Sequence, residues 1–228
     1  MISVAALARF QQRRAEEAGA HVLTETAASE LIVCDGRVLG VRSGDKGRGR
    51  DGEPLRTFAF GRQAKADGLC LSDYILDADE GRRDHLCLFV VTAGARVREE
   101  SEEAKQAGEF FQSHALQALG IETAEGCAEW LHRRIREDWG FHDSPTLTMH
   151  ERFTSKYRGK RYSFGYPACP NLDDQRGLWA LLRPEDIGVE LTEGMMMEPE
   201  ASVSALVFHH PDCAYFTASE GAETAGAA

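Results

Sequence analysis

The densest group of side chains that could do chemistry lies at residues 157–170, which read YRGKRYSFGYPACP. This segment places three basic side chains among aromatic rings, and Gly165 and two prolines follow in the same stretch. Because proline fixes the backbone, we expect a stiff loop that presents a guanidinium beside aromatic faces. Such a loop suits a ligand with a carboxylate at one end and a positive or planar group at the other. An arginine that only caps a turn explains the composition equally well, and periodicity does not decide whether Glu125 and Arg136 face the same cavity.

Other motifs give weaker support for a functional site. Residues 47–52 satisfy the glycine pattern of dinucleotide-binding loops, but their charged surroundings offer no helix to hold a pyrophosphate. Glu129 and His132 have the spacing of di-iron ligands, yet such a site needs a second pair, so we interpret them as an i,i+3 surface contact. His209 and His210 would point to opposite faces of a strand. We predict neither a metal site nor a nucleophile with its catalytic base.

The composition argues against several classes of partner. The 228 residues carry 26 Lys and Arg against 37 Asp and Glu, a net charge of −11. An acidic chain neutralises phosphates poorly, so no nucleic-acid partner is expected. There is no long apolar run and no secretory pattern, so we expect a cytoplasmic protein with no membrane partner. The six cysteines form no C-x-x-C pair, and we expect reduced, mostly buried thiols.

The elements that would position the basic and aromatic segment do not alternate regularly. We predict a helix from Val4 to about Ala18 and a hairpin with its turn at Asp35-Gly36. Further elements follow in this order: a fully buried strand over 85–94, helices over 101–120 and 121–140, a short helix around 173–182, and strands over 201–210 and 213–218. This order predicts an α+β fold with a mostly antiparallel, twisted sheet against which the helices pack.

Five blocks of sequence add a family resemblance. In order they are DGLCLSDYI, FVVTAG, GEFFQSHALQALGIETAEGCAEWLH, RGKRYSFGYPACPNLDDQ and IGVELTEGMMMEPEASVSALVFHHPDCAYF. Over residues 67–218 the chain closely resembles the C-terminal activation domain of cobalamin-dependent methionine synthase. The resemblance implies an α+β domain that binds S-adenosylmethionine and docks on a cobalamin domain after cob(II)alamin has formed. An electron from a flavodoxin-like reductant and the methyl group of S-adenosylmethionine would then restore methylcobalamin, a methyltransferase activity in methionine biosynthesis.

The same resemblance implies a ligand site. Arg161 matches the arginine that holds the ligand, and Glu125 matches a helix carboxylate near it. The other implied ligand-binding residues are Ser163, Gly165 and Tyr166 in the loop, and Tyr215 and Phe216 on an aromatic strand. Arg161 can bind a carboxylate in bidentate fashion, Glu125 can offset an ammonium or sulfonium charge, and tyrosine faces suit a sulfonium. No residue is assigned a catalytic role or a metal.

Residues 1–60 have a different resemblance. LARFQQRRAEEAGA, CDGRVLGVRSGDKGRGRDGEP and FAFG are similar to an internal piece of electron-transfer-flavoprotein dehydrogenases. We therefore expect an N-terminal segment over 1–60, an activation domain over 61–218 and a disordered tail over 219–228. The chain has no D-x-H-x-x-G cobalamin motif, so we expect it to act on a separate cobalamin-bearing domain or subunit. The alternatives are a fragment of a flavin-dependent oxidoreductase, or a non-catalytic module that binds S-adenosylmethionine or docks on a corrinoid protein.

Overall fold

The computed structural model describes residues 56–77 and 84–218, together with the backbone of two strands at 30–34 and 37–42. The chain divides into two compact units, Met1–Thr57 and Phe58–Ala228. In these described ranges no helix is both long and apolar enough to cross a membrane. The domain boundaries expected from the sequence stay predictions.

The first unit contains a β-hairpin. β1 (Glu30–Cys34) pairs antiparallel with β2 (Arg37–Arg42), with one irregularity in the ladder. The two strands flank the Asp-Gly dipeptide, which favours tight two-residue turns, so the predicted hairpin is confirmed. The turn itself, the helix predicted from Val4 and the tail predicted over 219–228 lie outside the described residues.

A three-stranded antiparallel sheet forms the centre of the second unit. In chain order the strands of this unit are β3 (Cys87–Thr92), β4 (Lys160–Tyr162), the short pair β5 (Glu190–Leu191) and β6 (Met197–Glu198), and β7 (Ser202–Phe208). β7 lies between β3 and β4 and pairs with both. Every residue of β7 is buried, so both faces of this central strand are covered. β4 is thereby attached to the most buried strand of the unit, with Arg161 opposite Val207.

A long helix packs on one face of this sheet. The helices are α1 (Ala95–Gln106), α2 (Phe110–Asp138), α3 (Met149–Phe153) and α4 (Gln175–Leu182). Ala124 and Ala128 of α2 join a buried cluster with Phe89 and Val91 of β3 and with Val207. Small alanine side chains let the helix approach the sheet closely, which brings the neighbouring residues of α2 near β4.

The predicted break between two helices at residues 120 and 121 is wrong. α2 is one helix of 29 residues, and the chain turns earlier, at Gly108, whose φ is +80°. Gly120 serves close packing instead, because a Cβ there would lie 2.9 Å from Val97 Cγ1 and 3.2 Å from the Cβ of Ala201. Glycine in a helix is thus required here by a neighbouring side chain and not by a helix end.

Two predicted strands also differ from the structure. Burial along β3 alternates, so this strand is not fully buried as predicted. Residues 213–218 form no strand, although the chain there is tied down by the Ala218 amide, which donates to the Pro167 carbonyl at 2.7 Å. The helix predicted around 173–182 is confirmed as α4, preceded by a 3₁₀ turn at Leu172–Asp174. The α+β class with an antiparallel sheet is confirmed as well.

Candidate functional site

Arg161 lies in the wall of a cavity of about 500 Å³ in the second unit. The lining residues are Glu125, Arg161, Tyr162, Ser163, Tyr166, Pro167, Ala168, Cys169, Val203, Tyr215, Phe216 and Thr217. Six of the seven residues predicted to bind ligand are therefore brought together, from α2, β4, the loop after β4 and the segment near residue 215. Gly165 is not in the lining but lies in the same loop.

The Arg161 guanidinium contacts two carboxylates of α2. Its Nη1 donates to Glu129 Oε2 at 2.5 Å, and its Nη2 donates to Glu125 Oε2 at 3.2 Å. Glu125 and Glu129 are four residues apart and therefore lie on the same face of the helix. The Glu125 side chain is half exposed, whereas only 18% of the Arg161 side chain is exposed. The cavity thus offers one partly buried cation with one accessible carboxylate beside it.

The charge of Arg161 is secure. Burial alone would lower the pKa of the guanidinium, but the hydrogen bond and the negative charge of Glu129 outweigh that cost and raise the pKa above its usual value. The side chain is therefore cationic at any physiological pH and can attract an anionic group. A planar guanidinium also has two N–H edges that match the two oxygens of a carboxylate.

The loop after β4 is held in a tight turn by its own backbone. Gly165, with φ of +84°, donates its amide to the Cys169 carbonyl at 3.0 Å, and the Cys169 amide donates to the Tyr166 carbonyl at 2.9 Å. A Cβ at Gly165 would lie 3.0 Å from Leu172 Cδ1, so both the backbone angle and the available space favour glycine here. The role of Gly165 is thus to shape the loop that carries Tyr166.

Two polar side chains of this loop already donate hydrogen bonds within the protein. Ser163 donates its hydroxyl to the Ser204 carbonyl at 2.5 Å, which attaches the loop to β7. The Cys169 thiol donates to the Ser163 carbonyl at 3.0 Å, and burial raises the pKa of this thiol to about 12. Cys169 is therefore a neutral thiol and not a nucleophile. The Ser163 hydroxyl is thus engaged by β7, although the residue lines the cavity.

Aromatic rings form another part of the cavity wall. Tyr166 and Tyr215 are both more than half exposed, and the ring of Tyr215 meets the buried Tyr162 ring edge-on at 5.5 Å. Tyr215 and Phe216 were expected on a strand, but they lie in the extended segment that forms no strand. Their contribution to the cavity does not depend on a ladder, because Tyr162 and the loop after β4 support this segment.

Sequence reasoning missed the carboxylate next to Arg161. Glu129 and His132 were interpreted as a surface contact, but Glu129 binds Arg161 and His132 is fully buried. The four-residue interval from Glu125 was the signal available in the sequence. Arg136 does not face the cavity: it is buried and forms a bidentate ion pair with Asp143 at 2.8 Å for both bonds.

A second, smaller cavity of about 270 Å³ adjoins the first and shares Glu125, Ser163, Tyr166 and Val203 with it. Its remaining wall is largely apolar, with Met196 and Met197 among its residues. Among the residues that the structure describes, no group of three or more His, Cys, Asp or Glu side chains is placed to hold a metal ion.

Comparison with known families identifies the region that carries this cavity. The family described as "Vitamin B12 dependent methionine synthase, activation domain" matches residues 48–223. Methionine synthase of Mycobacterium tuberculosis (strain ATCC 25618 / H37Rv) is 36% identical over 174 residues, which are 72% of this chain and 15% of that protein. Methionine synthase of Mycobacterium leprae (strain TN) is 35% identical over 182 residues, 73% of this chain and 15% of that protein. This chain thus spans about 15% of the length of these curated relatives.

A solved structure gives the same result for the fold. The structure described as "Crystal Structure of the MetH Reactivation Domain bound to AdoHcy" matches with a TM-score of 0.67 and 25% sequence identity. The match covers 94% of this chain and 69% of that one. These findings favour the activation-domain interpretation over the flavoprotein alternative, and the flavoprotein-like character of residues 1–60 stays a prediction.

The resemblance that we noted in the sequence is confirmed, and the family match extends beyond residues 67–218 at both ends. Because this match covers well over half of the chain, the chain belongs to the family of vitamin B12-dependent methionine synthase activation domains.

Proposed function

We propose that this domain binds S-adenosylmethionine in the cavity beside Arg161 and presents it to a cobalamin-bearing partner. The observation that carries the proposal is the convergence of six residues, expected from the sequence to bind this ligand, on one cavity. The volume of about 500 Å³ lies within the usual range for small-molecule sites. The related structure bound to AdoHcy supports the same class of ligand.

Each part of the ligand has a chemical counterpart in the cavity. Arg161 binds the α-carboxylate through two parallel N–H donors, once the half-exposed Glu125 releases Nη2. Glu125 then pairs with the ammonium or the sulfonium of the ligand. Tyr166 and Tyr215 line the cavity and are more than half exposed, and their rings suit a sulfonium because an aromatic face attracts positive charge.

The partner is the cobalamin-binding domain or subunit of methionine synthase. The length of the curated relatives supports this, since about 85% of each lies outside the match to this chain. One electron from a flavodoxin-like reductant would reduce the partner's cob(II)alamin to cob(I)alamin. S-adenosylmethionine would then give its methyl group to the reduced cobalt and leave as S-adenosylhomocysteine, which restores methylcobalamin. This chain contributes binding and orientation to a methyltransferase reaction, and we place that reaction in the cytoplasm.

Calorimetric titration of S-adenosylmethionine into wild-type protein and Arg161→Ala tests the proposal. Loss of charge-assisted hydrogen bonds of about 1.5–3 kcal/mol predicts at least tenfold weaker binding by the variant. Arg176→Ala is the matched control, because Arg176 is an exposed arginine of α4 outside the cavity lining. Wild-type affinity in Arg161→Ala would refute the assignment of the site, and no binding by the wild-type protein would refute the proposed ligand.

A further inference from the structure

The two carboxylates that contact Arg161 are not equivalent. Glu125 lines the cavity, is half exposed and makes the longer contact, 3.2 Å to Nη2. Glu129 is not in the cavity lining, is less exposed and makes the shorter contact, 2.5 Å to Nη1. Because Glu125 is half exposed and makes the longer contact, it can exchange its partner at low cost. Glu129 instead binds Nη1 from outside the cavity lining.

Glu129 is itself fixed by Tyr157. The Tyr157 hydroxyl donates to Glu129 Oε2 at 3.0 Å, the same oxygen that accepts from Arg161. Burial raises the pKa of this phenol to about 12, so it stays a donor. The Arg136 guanidinium lies 3.7 Å over the Tyr157 ring, and His132 meets that ring edge-on at 5.3 Å. The Tyr157 hydroxyl that binds Glu129 is thus carried by a ring that packs against Arg136 and His132.

Only one of the two oxygens of Glu129 makes hydrogen bonds among the described residues. The other oxygen of Glu129, Oε1, is buried and has no hydrogen-bond partner among the described residues. Burying an unpaired carboxylate oxygen opposes folding. The contacts that the carboxylate does make, to Arg161 and to Tyr157, converge on Oε2, so this oxygen ties one end of the Arg161 guanidinium to the Tyr157 hydroxyl.

We propose that Glu129 is a positioning residue for ligand binding, which pins Nη1 of Arg161 and so turns the other edge of the guanidinium toward the cavity. This inference rests on the proposed function. A long arginine side chain that is held before the ligand arrives loses less conformational freedom on binding, so affinity rises without a new ligand contact. Glu125 is the carboxylate that gives way to the carboxylate of the ligand.

Two charge-conserving variants test the role. Glu129→Asp keeps the charge but shortens the side chain by one methylene, so that it no longer reaches both Arg161 and Tyr157. Tyr157→Phe keeps the ring and removes the hydroxyl. We expect S-adenosylhomocysteine to bind about tenfold more weakly to Glu129→Asp and about threefold more weakly to Tyr157→Phe. Glu122→Asp, the same change at an exposed position of α2, is the matched control and should bind as the wild type does.

A second ligand separates positioning from general loosening of the domain. 5′-Methylthioadenosine lacks the carboxylate that Arg161 would bind, so its affinity, measured by competition, should be the same in all four proteins. Equal weakening of both ligands in Glu129→Asp would show a structural role and overturn the inference, as would unchanged binding of S-adenosylhomocysteine. If Glu129→Asp does not fold, Tyr157→Phe decides by the same comparison. Failure of the wild-type protein to bind both S-adenosylmethionine and S-adenosylhomocysteine would instead refute the proposed function, and this inference with it.

Discussion

Two arginines of the second unit are linked to Tyr157, and their surroundings differ. Arg136 lies against the ring, is 1% exposed in its side chain, and binds Asp143, which is 5% exposed, through two hydrogen bonds. Arg161 is connected to the Tyr157 hydroxyl through Glu129, and its second carboxylate, Glu125, is 47% exposed. An ion pair buried on both sides holds the fold in place, whereas one with an exposed, singly bonded carboxylate can exchange that carboxylate for a ligand.

The strongest test of this comparison removes one carboxylate from each arginine. Asp143→Ala leaves Arg136 buried without its counter-charge and also removes the ion-pair partner of Arg152, and we expect the free energy of unfolding to fall by about 3–5 kcal/mol. Glu125→Ala removes a half-exposed partner, and we expect a loss below about 1 kcal/mol. Urea unfolding at neutral pH, followed by circular dichroism, measures both. Equal losses in the two variants would contradict the distinction between the buried and the exchangeable pair.

The buried surroundings of Arg136 also predict that the free energy of unfolding depends on pH. His132 is fully buried, and burial, followed by the nearby charge of Arg136, lowers its pKa to about 3. In the unfolded chain a histidine titrates near pH 6.5. As the pH falls below that value, the unfolded state binds a proton that the folded state does not, so stability is complete above about pH 6.5 and is lost toward pH 3.

For His132 alone this loss amounts to about 2 kcal/mol between pH 7 and pH 5. His132→Phe should remove this part of the pH dependence, and since neither ring nitrogen of His132 has a hydrogen-bond partner among the described residues, no such bond is broken. The exposed His114, changed to Gln, is the control and should keep the wild-type profile. Urea unfolding at several pH values measures the slopes. Parallel profiles for wild type and His132→Phe would rule out a neutral buried histidine as the cause.

Local signals in the sequence predicted the elements that depend on local chemistry. The Asp-Gly dipeptide indicated the hairpin, and the apolar run over 201–210 indicated β7. The break expected near Gly120 was wrong because this glycine is required for close packing against Val97 of α1 and against Ala201, which directly precedes β7. A single sequence does not show which distant residues will contact a glycine. A glycine that ends a helix and one that allows close packing therefore look the same in the sequence.

The candidate site was likewise predictable only where it depends on local sequence or on the family resemblance. The basic and aromatic loop and its family resemblance named the residues that the structure gathers around the cavity. Arg161 faces the cavity and Arg136 does not. Arg136 instead pairs with Asp143, which lies seven residues further along the chain, past the end of α2. Helix periodicity does not extend past that end, so the ion pair that removes Arg136 from the cavity was not predictable. Glu129 lies four residues from Glu125, so helix periodicity does place both carboxylates on one face, and the i,i+3 spacing to the buried His132 is not a surface contact.

The smallest expected effect is at the open side of the cavity. Tyr166 is 63% exposed, and a sulfonium over an exposed aromatic face gains about 0.5–1 kcal/mol. Tyr166→Ala should therefore bind S-adenosylmethionine about threefold more weakly, relative to S-adenosylhomocysteine, whose thioether has no charge. Tyr166→Phe keeps the aromatic face and should bind both ligands as the wild-type protein does. If Tyr166→Ala weakened the two ligands equally in calorimetric titration, the ring would supply contact area only, and recognition of the positive charge would have to come from Glu125, the exchangeable carboxylate of the Arg161 pair.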